Sequence, residues 1–300
     1  MDRSVYRACR LCPRGCGVDR LAGARGFCGM GAELTAARAA LHFWEEPVLS
    51  GEYGTGAVFF SGCTLRCSYC QNREISQENF GLTLDSNRLR RVFLRLIDEG
   101  AESIDLVTPT HFLPDILPAL TPKLPVPVVY NCGGYERVET LRKLDGLIDV
   151  YLPDMKYSDA ALASRLSAAP DYPETAKAAI LEMYRQTGAY VLENGLLRSG
   201  VLIRHLILPG QIENSLGVLD WIADAFPPHS VLVSLMSQYT PVNHTIAQPP
   251  FDRKITEEEY DAVLSWMLLR GLTDGFLQDR EAASLDYVPL FDGTGISNCL

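Results

Sequence analysis

Nine cysteines occur in 300 residues, and seven of them lie within the first 70. Cys63, Cys67 and Cys70 stand at the spacing C-x3-C-x2-C. Three thiolates this close can each hold one iron of a [4Fe–4S] cluster, which normally takes four ligands. No fourth cysteine follows nearby, so one iron is left open, and an open coordination position suits chemistry rather than structure. Zinc at the same thiols would need a fourth nitrogen or sulfur, and the nearest downstream candidate, His111, is remote in sequence. Cys9, Cys12, Cys16 and Cys28 form a second group. Four thiolates close a metal site, which suits a structural or electron-transfer role. Their spacing leaves a second [4Fe–4S] cluster and zinc both open, and a chain that already acquires one cluster favours iron and sulfide. Cys132 stands alone, and Cys299 falls in neither group.

The elements that must position these residues follow from the hydrophobic pattern. Residues 1–50 read as a Cys-rich metal-binding module, its first 35 residues so short of apolar periodicity that a metal would have to organise them. Residues 51–300 read as a core domain with a helical C-terminal extension. Strands are predicted at 57–62, 103–108, 127–131, 149–154, 201–208 and 230–236, and helices at 87–99, 173–187 and 214–226. Leu89, Val92, Phe93, Leu96 and Ile97 share one face of the first helix. Thr256 and Glu259 have capping-box spacing, with Ile255 and Tyr260 as the hydrophobic staple. An apolar stripe then runs through Tyr260, Val263, Leu264, Met267 and Leu268.

Six strand–helix units in a row imply an α/β fold with a parallel sheet and right-handed crossovers. Six is two short of the closed eight-stranded barrel, so a partial, open (βα)6 barrel is expected, with a doubly wound sheet as the other arrangement. In either, ligands sit at the carboxyl ends of the strands. Those ends carry Thr108 and Thr110, then Asn131 and Cys132, then Asp154 and Lys156, then Arg204 and His205, then Ser237, Gln238 and Tyr239.

Charge narrows the function classes. Lys and Arg total 27 against 37 Asp and Glu, a net charge of −10, which argues against a general nucleic-acid binder. No apolar run is long enough to span a membrane, and the N-terminal residues are polar and Cys-rich rather than a secretory signal. A cytoplasmic protein is therefore expected, in which clustered thiols bind metal rather than form disulfides.

The C-x3-C-x2-C motif, with Tyr69 before its last cysteine, resembles the radical S-adenosylmethionine (SAM) superfamily. The wider chain resembles the PflX-like branch related to pyruvate formate-lyase activating enzyme. That resemblance is carried by Cys9-Arg10-Leu11-Cys12-Pro13-Arg14-Gly15-Cys16, His42-Phe43-Trp44-Glu45-Glu46-Pro47, Phe59-Phe60-Ser61-Gly62-Cys63, Asp154-Met155-Lys156-Tyr157, Arg204-His205-Leu206-Ile207-Leu208-Pro209-Gly210 and Met236-Ser237-Gln238-Tyr239.

The resemblance implies an enzyme whose open iron chelates SAM. The reduced cluster would cleave SAM to a 5′-deoxyadenosyl radical that abstracts hydrogen, as in activation of a glycyl radical enzyme. Direct modification of a small molecule or peptide is the enzymatic alternative. A non-catalytic iron–sulfur or zinc electron-transfer or scaffold protein is the alternative of another class. A flavodoxin or ferredoxin-type donor would supply the electron.

By the same resemblance Tyr69, Asn72, Thr108, Thr110, Asn131, Asp154, Lys156 and His205 bind the cofactor. Asp154 would also help hold a monovalent cation. Thr108 and Thr110 occupy the place of a Gly-Gly-Glu-Pro stretch in the activating enzymes, but lack its glycines and carboxylate. The residues alone leave each role with a structural counterpart. Thr110 reads equally as a helix cap, Asp154 with Lys156 as a salt bridge, His205 as a core histidine and Cys132 as a packed thiol. Cys132 and Lys156 are the catalytic candidates. Ser237, Gln238 and Tyr239 are candidate substrate or adenine contacts. Glu45 and Glu46 are expected to pair with arginines of the N-terminal module or to present a docking surface.

Overall fold

The computed structural model describes residues 1–242, 249–278 and 288–297. Its strands are β1 (Thr35–His42), β2 (Thr55–Phe60), β3 (Leu82–Thr83), β4 (Ile104–Val107), β5 (Val128–Cys132), β6 (Val150–Pro153), β7 (Val191–Glu193), β8 (Leu196–Leu206), β9 (Leu232–Met236) and β10 (Gly275–Leu277). Its helices are α1 (Pro47–Ser50), α2 (Arg73–Ser76), α3 (Ser86–Asp98), α4 (Leu113–Ala119), α5 (Val138–Leu141), α6 (Ala160–Ser167), α7 (Tyr172–Thr187), α8 (Ile212–Ala225) and α9 (Glu257–Leu269).

Strands β2, β4, β5, β6, β8 and β9 are neighbours in that order and all parallel. They are the strands expected from the sequence. β10 extends the sheet in parallel beyond β9, while β1 runs antiparallel to β2 at the other side and carries β3. The path ends at β10 and β3, so the barrel is open rather than closed.

Alternation along each strand sets up two apolar layers. Val129, Val150, Leu152, Leu202 and Leu232 point inward and pack on Val48 and Leu49 of α1, which plugs the barrel floor. Their neighbours Tyr130, Tyr151, Ile203 and Val233 point outward, into the large core under the helices. Each fully buried side chain of this kind contributes about 1.5–3 kcal/mol.

Local signals explain the helices. Asp85 caps α3 by accepting from Arg88 N–H, and Leu89, Val92, Phe93 and Leu96 are its buried face. Thr256 and Glu259 complete both bonds of the capping box of α9. On α9 the core side is Val263 and Met267; Leu268, expected in the stripe, is 55% exposed.

The division at residue 50 needs correction. β1 and α1, counted with the Cys-rich module by sequence, belong to the barrel as an edge strand and a plug. The C-terminal extension also contributes β10, whose short run gave no alternating signal. The module proper folds around a small core of Tyr6, Cys9, Leu11 and Ala32. Arg20 is almost fully buried there, over the Tyr6 ring at 4.2 Å, and donates to the carbonyls of Gly31 and His111. Among the described residues no helix is long and apolar enough to cross a membrane. Cys299 lies outside the described residues.

Candidate active site

A cavity of about 250 Å³ opens at the carboxyl ends of the parallel strands. Inward alternation supplies its walls: Phe59 from β2, Val107 from β4, Asn131 from β5, Asp154 after β6, Arg204 and Leu206 from β8, and Met236 from β9. Cys67, Tyr69, Cys70, Gln71 and Asn72 line it from the loop after β2, and Lys156 from the loop after β6.

The three thiols of that loop are held as a group. Cys67 and Cys70 face the cavity, and Cys63 lies near enough to both to feel their charge. Burial pushes the Cys63 thiol up to about 12 and raises Cys70, while Lys156 pulls Cys70 back. Sulfur-directed donors surround them: Leu65 N–H to Cys63 at 3.4 Å, Ser167 Oγ to Cys67 at 3.0 Å and Ser76 Oγ to Cys70 at 3.3 Å. Donors at sulfur favour the thiolate, the form that binds metal. Tyr157 braces the group, its hydroxyl 2.9 Å from Tyr69 and 2.7 Å from Ser167.

Asp154 and Lys156 converge as the sequence suggested, at 2.5 Å. Burial alone would raise the Asp154 pKa, but Lys156 and Arg204 outweigh it and hold the carboxyl low. Burial alone would lower Lys156, and Asp154 holds it above its ordinary value. Tyr172 fixes this turn, accepting from Lys156 N–H at 2.9 Å and lying 2.8 Å from the Asp154 carbonyl. Both Asp154 oxygens are engaged by side-chain cations, Oδ2 by Lys156 and Oδ1 by Arg204.

Arg204 is the hub that sequence reasoning passed over in favour of His205. It reaches Asp154 at 3.0 Å, Asn131 at 2.6 Å and Glu45 at 3.2 Å. Asn131 in turn donates to Glu45 at 3.3 Å and Asp105 at 3.1 Å. Glu45 therefore pairs inside the barrel and not with arginines of the N-terminal module, correcting the expectation for that segment. Burial raises Glu45, Arg204 opposes it, and Asp105 and Glu46 push the same way as burial. Burial takes Asp105 up to about 7.

Strand alternation also corrects the assignments of His205 and Cys132, and the loop after β4 those of Thr108 and Thr110. His205 faces outward, with Nδ1 2.7 Å from the Met155 carbonyl and Nε2 2.9 Å from Ser215 of α8; it is a satisfied core histidine. Cys132 likewise points away from the cavity, buried in the outer core, and loses the catalytic role expected of it. Thr110 neither lines the cavity nor caps a helix; its hydroxyl donates to Glu136 at 2.7 Å. Thr108 holds a positive φ of 60° and donates its N–H to the Asn131 carbonyl, outside the lining set. Gln238 and Tyr239 do line the cavity, whereas Ser237 donates to the Gln278 carbonyl. Period-two alternation could have separated Arg204 from His205, because Arg204 shares parity with the inward Leu202.

In the N-terminal module the four cysteines are also mutual neighbours. Cys12 feels Cys28 and Cys16, and Cys28 feels Cys9 and Cys16. Among the described residues no three His, Cys, Asp or Glu side chains are gathered as a single-ion site. Arg14 ties the module to the barrel, donating to Thr64 O at 2.8 Å and Ser167 O at 2.7 Å and stacking on Phe27 at 3.8 Å.

Known proteins resemble this chain in sequence and in fold. Residues 49–109 match the family model of the 4Fe-4S single cluster domain. Over 274 residues the chain is 29% identical to the uncharacterized protein MJ0674 of Methanocaldococcus jannaschii, covering 87% of this chain and 75% of that one. Streptococcus suis SuiB, solved bound to precursor peptide SuiA, superposes with a TM-score of 0.52 at 15% identity, covering 72% of this chain and 46% of SuiB. The FeFe-hydrogenase maturase HydG from Carboxydothermus hydrogenoformans gives 0.50 at 15% identity, covering 77% of this chain and 56% of HydG. The chain thus spans about half the length of these two structures. The fold is that of radical SAM enzymes. The donor set fits the cluster of a radical SAM fold: three grouped thiols with N–H and O–H donors at sulfur, on the loop that the 4Fe-4S model matches.

Proposed function

We propose that this protein is a radical SAM enzyme that generates a 5′-deoxyadenosyl radical for hydrogen abstraction, after the pattern of glycyl-radical activating enzymes. Cys63, Cys67 and Cys70 hold the [4Fe–4S] cluster, which when bound and reduced supplies the electron that cleaves SAM. The observation that carries this reading is that Cys67 and Cys70 face one cavity with the Asp154–Lys156–Arg204 network. Lys156 and Arg204 offer a carboxylate donors and charge, and Asp154 and Asn131 hold both in place. Tyr69, Asn72, Gln238 and Tyr239 shape the walls where an adenosine would pack.

A flavodoxin or ferredoxin-type protein donates the electron, and the four N-terminal cysteines hold a second [4Fe–4S] cluster or zinc. The protein acts in the cytoplasm. A second reading, direct modification of a small molecule or peptide side chain, is favoured by the charged floor of the cavity, which a backbone glycine does not need.

Anaerobic reconstitution with iron and sulfide, reduction and addition of SAM should yield 5′-deoxyadenosine. A fully loaded, reduced sample that yields none would sink the enzyme reading in favour of an electron-transfer or scaffold protein. In Cys67→Ala, iron and zinc content then reports the metal of the N-terminal group alone.

A further inference from the structure

Four carboxylates and two side-chain cations share the upper interior of the barrel. Lys156 is committed to Asp154 at 2.5 Å, and Arg204 divides between Asp154 at 3.0 Å and Glu45 at 3.2 Å. Glu46 and Asp105 form no ion pair among the described residues, and Asp105 accepts only from Asn131 through Oδ2. Glu46 is 7% exposed and Asp105 1%, yet Glu46 Oε2 and Asp105 Oδ1 have no hydrogen-bond donor among the described residues. Ser234 Oγ, in register with Arg204 on the next strand, also lacks a partner. The Glu46 carboxylate makes no cap bond to α1, although it sits at the start of that helix, and it lines the same cavity as Cys67 and Cys70. Glu46 and Asp105 lie close enough for the charge of one to raise the other.

Buried carboxylate oxygens without donors are costly, so the missing donors belong to something that enters the cavity. We propose that Glu46, which lines the cavity, and Asp105, one inward position below the lining Val107 on β4, bind a primary ammonium group of the substrate at the bottom of the cavity. The word substrate rests on the radical reading above; the cation site itself does not. An ammonium group brings N–H donors and one positive charge, matching the two carboxylate oxygens that lack donors. A neutral alcohol or amide brings donors without offsetting the charge. A divalent metal ion meets the Arg204 guanidinium beside Glu45, and the described carboxylates do not gather as a single-ion site. An amine held at the floor leaves the rest of its molecule pointing toward the thiols at the mouth.

The test is calorimetry on anaerobically reconstituted, unreduced protein with saturating SAM, using n-butylammonium and its uncharged counterpart n-butanol as probes. Butylammonium should bind saturably and at least tenfold more tightly than butanol. Glu46→Gln and Asp105→Asn should each weaken it tenfold or more, the second variant carrying the test if the first fails to fold. Four results overturn the proposal: no binding of butylammonium, equal binding of butanol, binding unchanged in both variants, or displacement by SAM, which would give the carboxylates to the cofactor's own amino group. Reduction of the same wild-type sample tests the radical reading separately. Ammonium binding without 5′-deoxyadenosine keeps the cation site and removes that reading; 5′-deoxyadenosine without ammonium selectivity does the reverse.

Discussion

Adjacent residues on β8 do unrelated work. Arg204 points into the barrel and holds three partners at 3.2 Å or less, while His205 points out and uses both ring nitrogens on Met155 and Ser215. Burial pushes His205 down to about 4 from 6.5. The unfolded chain therefore takes up a proton first as pH falls from 6.5 toward 4, and the stability present above 6.5 is lost across that window. The loss from this one group reaches about 3 kcal/mol. Urea midpoints at pH 7.5 and 5.0 should differ less in His205→Gln than in the wild type. An unchanged difference would mean that His205 is not a neutral core histidine. SAM cleavage in the same variant should persist, because the ring lies outside the cavity.

At the scale of elements, the turn after β5 shows how a loop fixes a site. Gly134 holds φ at +75°, and a Cβ there would stand 2.1 Å from the Asp154 carbonyl oxygen. Gly133 differs: its Cβ would meet Leu65 Cδ1 at 2.8 Å, the far end of a flexible side chain. Gly134→Ala should cost about 3 kcal/mol through strain and backbone displacement, and Gly133→Ala about 1 kcal/mol. Thermal denaturation of the pair checks the ranking; equal losses would show that the β5 and β6 turns do not depend on that close approach. The paired glycines were visible in the sequence, but their reason, the approach of a second strand's carbonyl, was not. The parallel strands and longer helices were equally legible, because runs buried on both faces and 3.6-residue stripes are strong signals. β1, β7 and β10 were not, since antiparallel edges and three-residue strands leave little pattern.

The whole molecule is a barrel with a Cys-rich module clamped to the loop that carries Cys63, Cys67 and Cys70. Arg14 is the clamp: it bonds Thr64, Ser167 and Ala168 carbonyls and stacks between Phe27 and Tyr135. Ser167 also donates to Cys67, so the clamp reaches the three-cysteine site in two steps. Arg14→Met should expose residues 1–34 to limited proteolysis while the barrel core stays resistant. Resistance equal to wild type would place the docking energy in Arg20 and Tyr6 instead, whose bonds to His111 and Asp115 remain.

By itself the sequence determined the split of cysteines into a three and a four, the parallel α/β architecture and the strand ends as the place where the cavity opens. Those follow from local spacing and periodicity, which survive without knowledge of any partner. Only the tertiary structure decided which strand-end side chains share the cavity. It brought Glu45 to Arg204 and Asp105 to Asn131 from distant strands and loops, sent His205 and Cys132 into the outer core, and left Glu46 Oε2 buried without a donor. The physical reason is the two-residue period of a strand: one step reverses the face, and the face is set by what the rest of the chain packs against it.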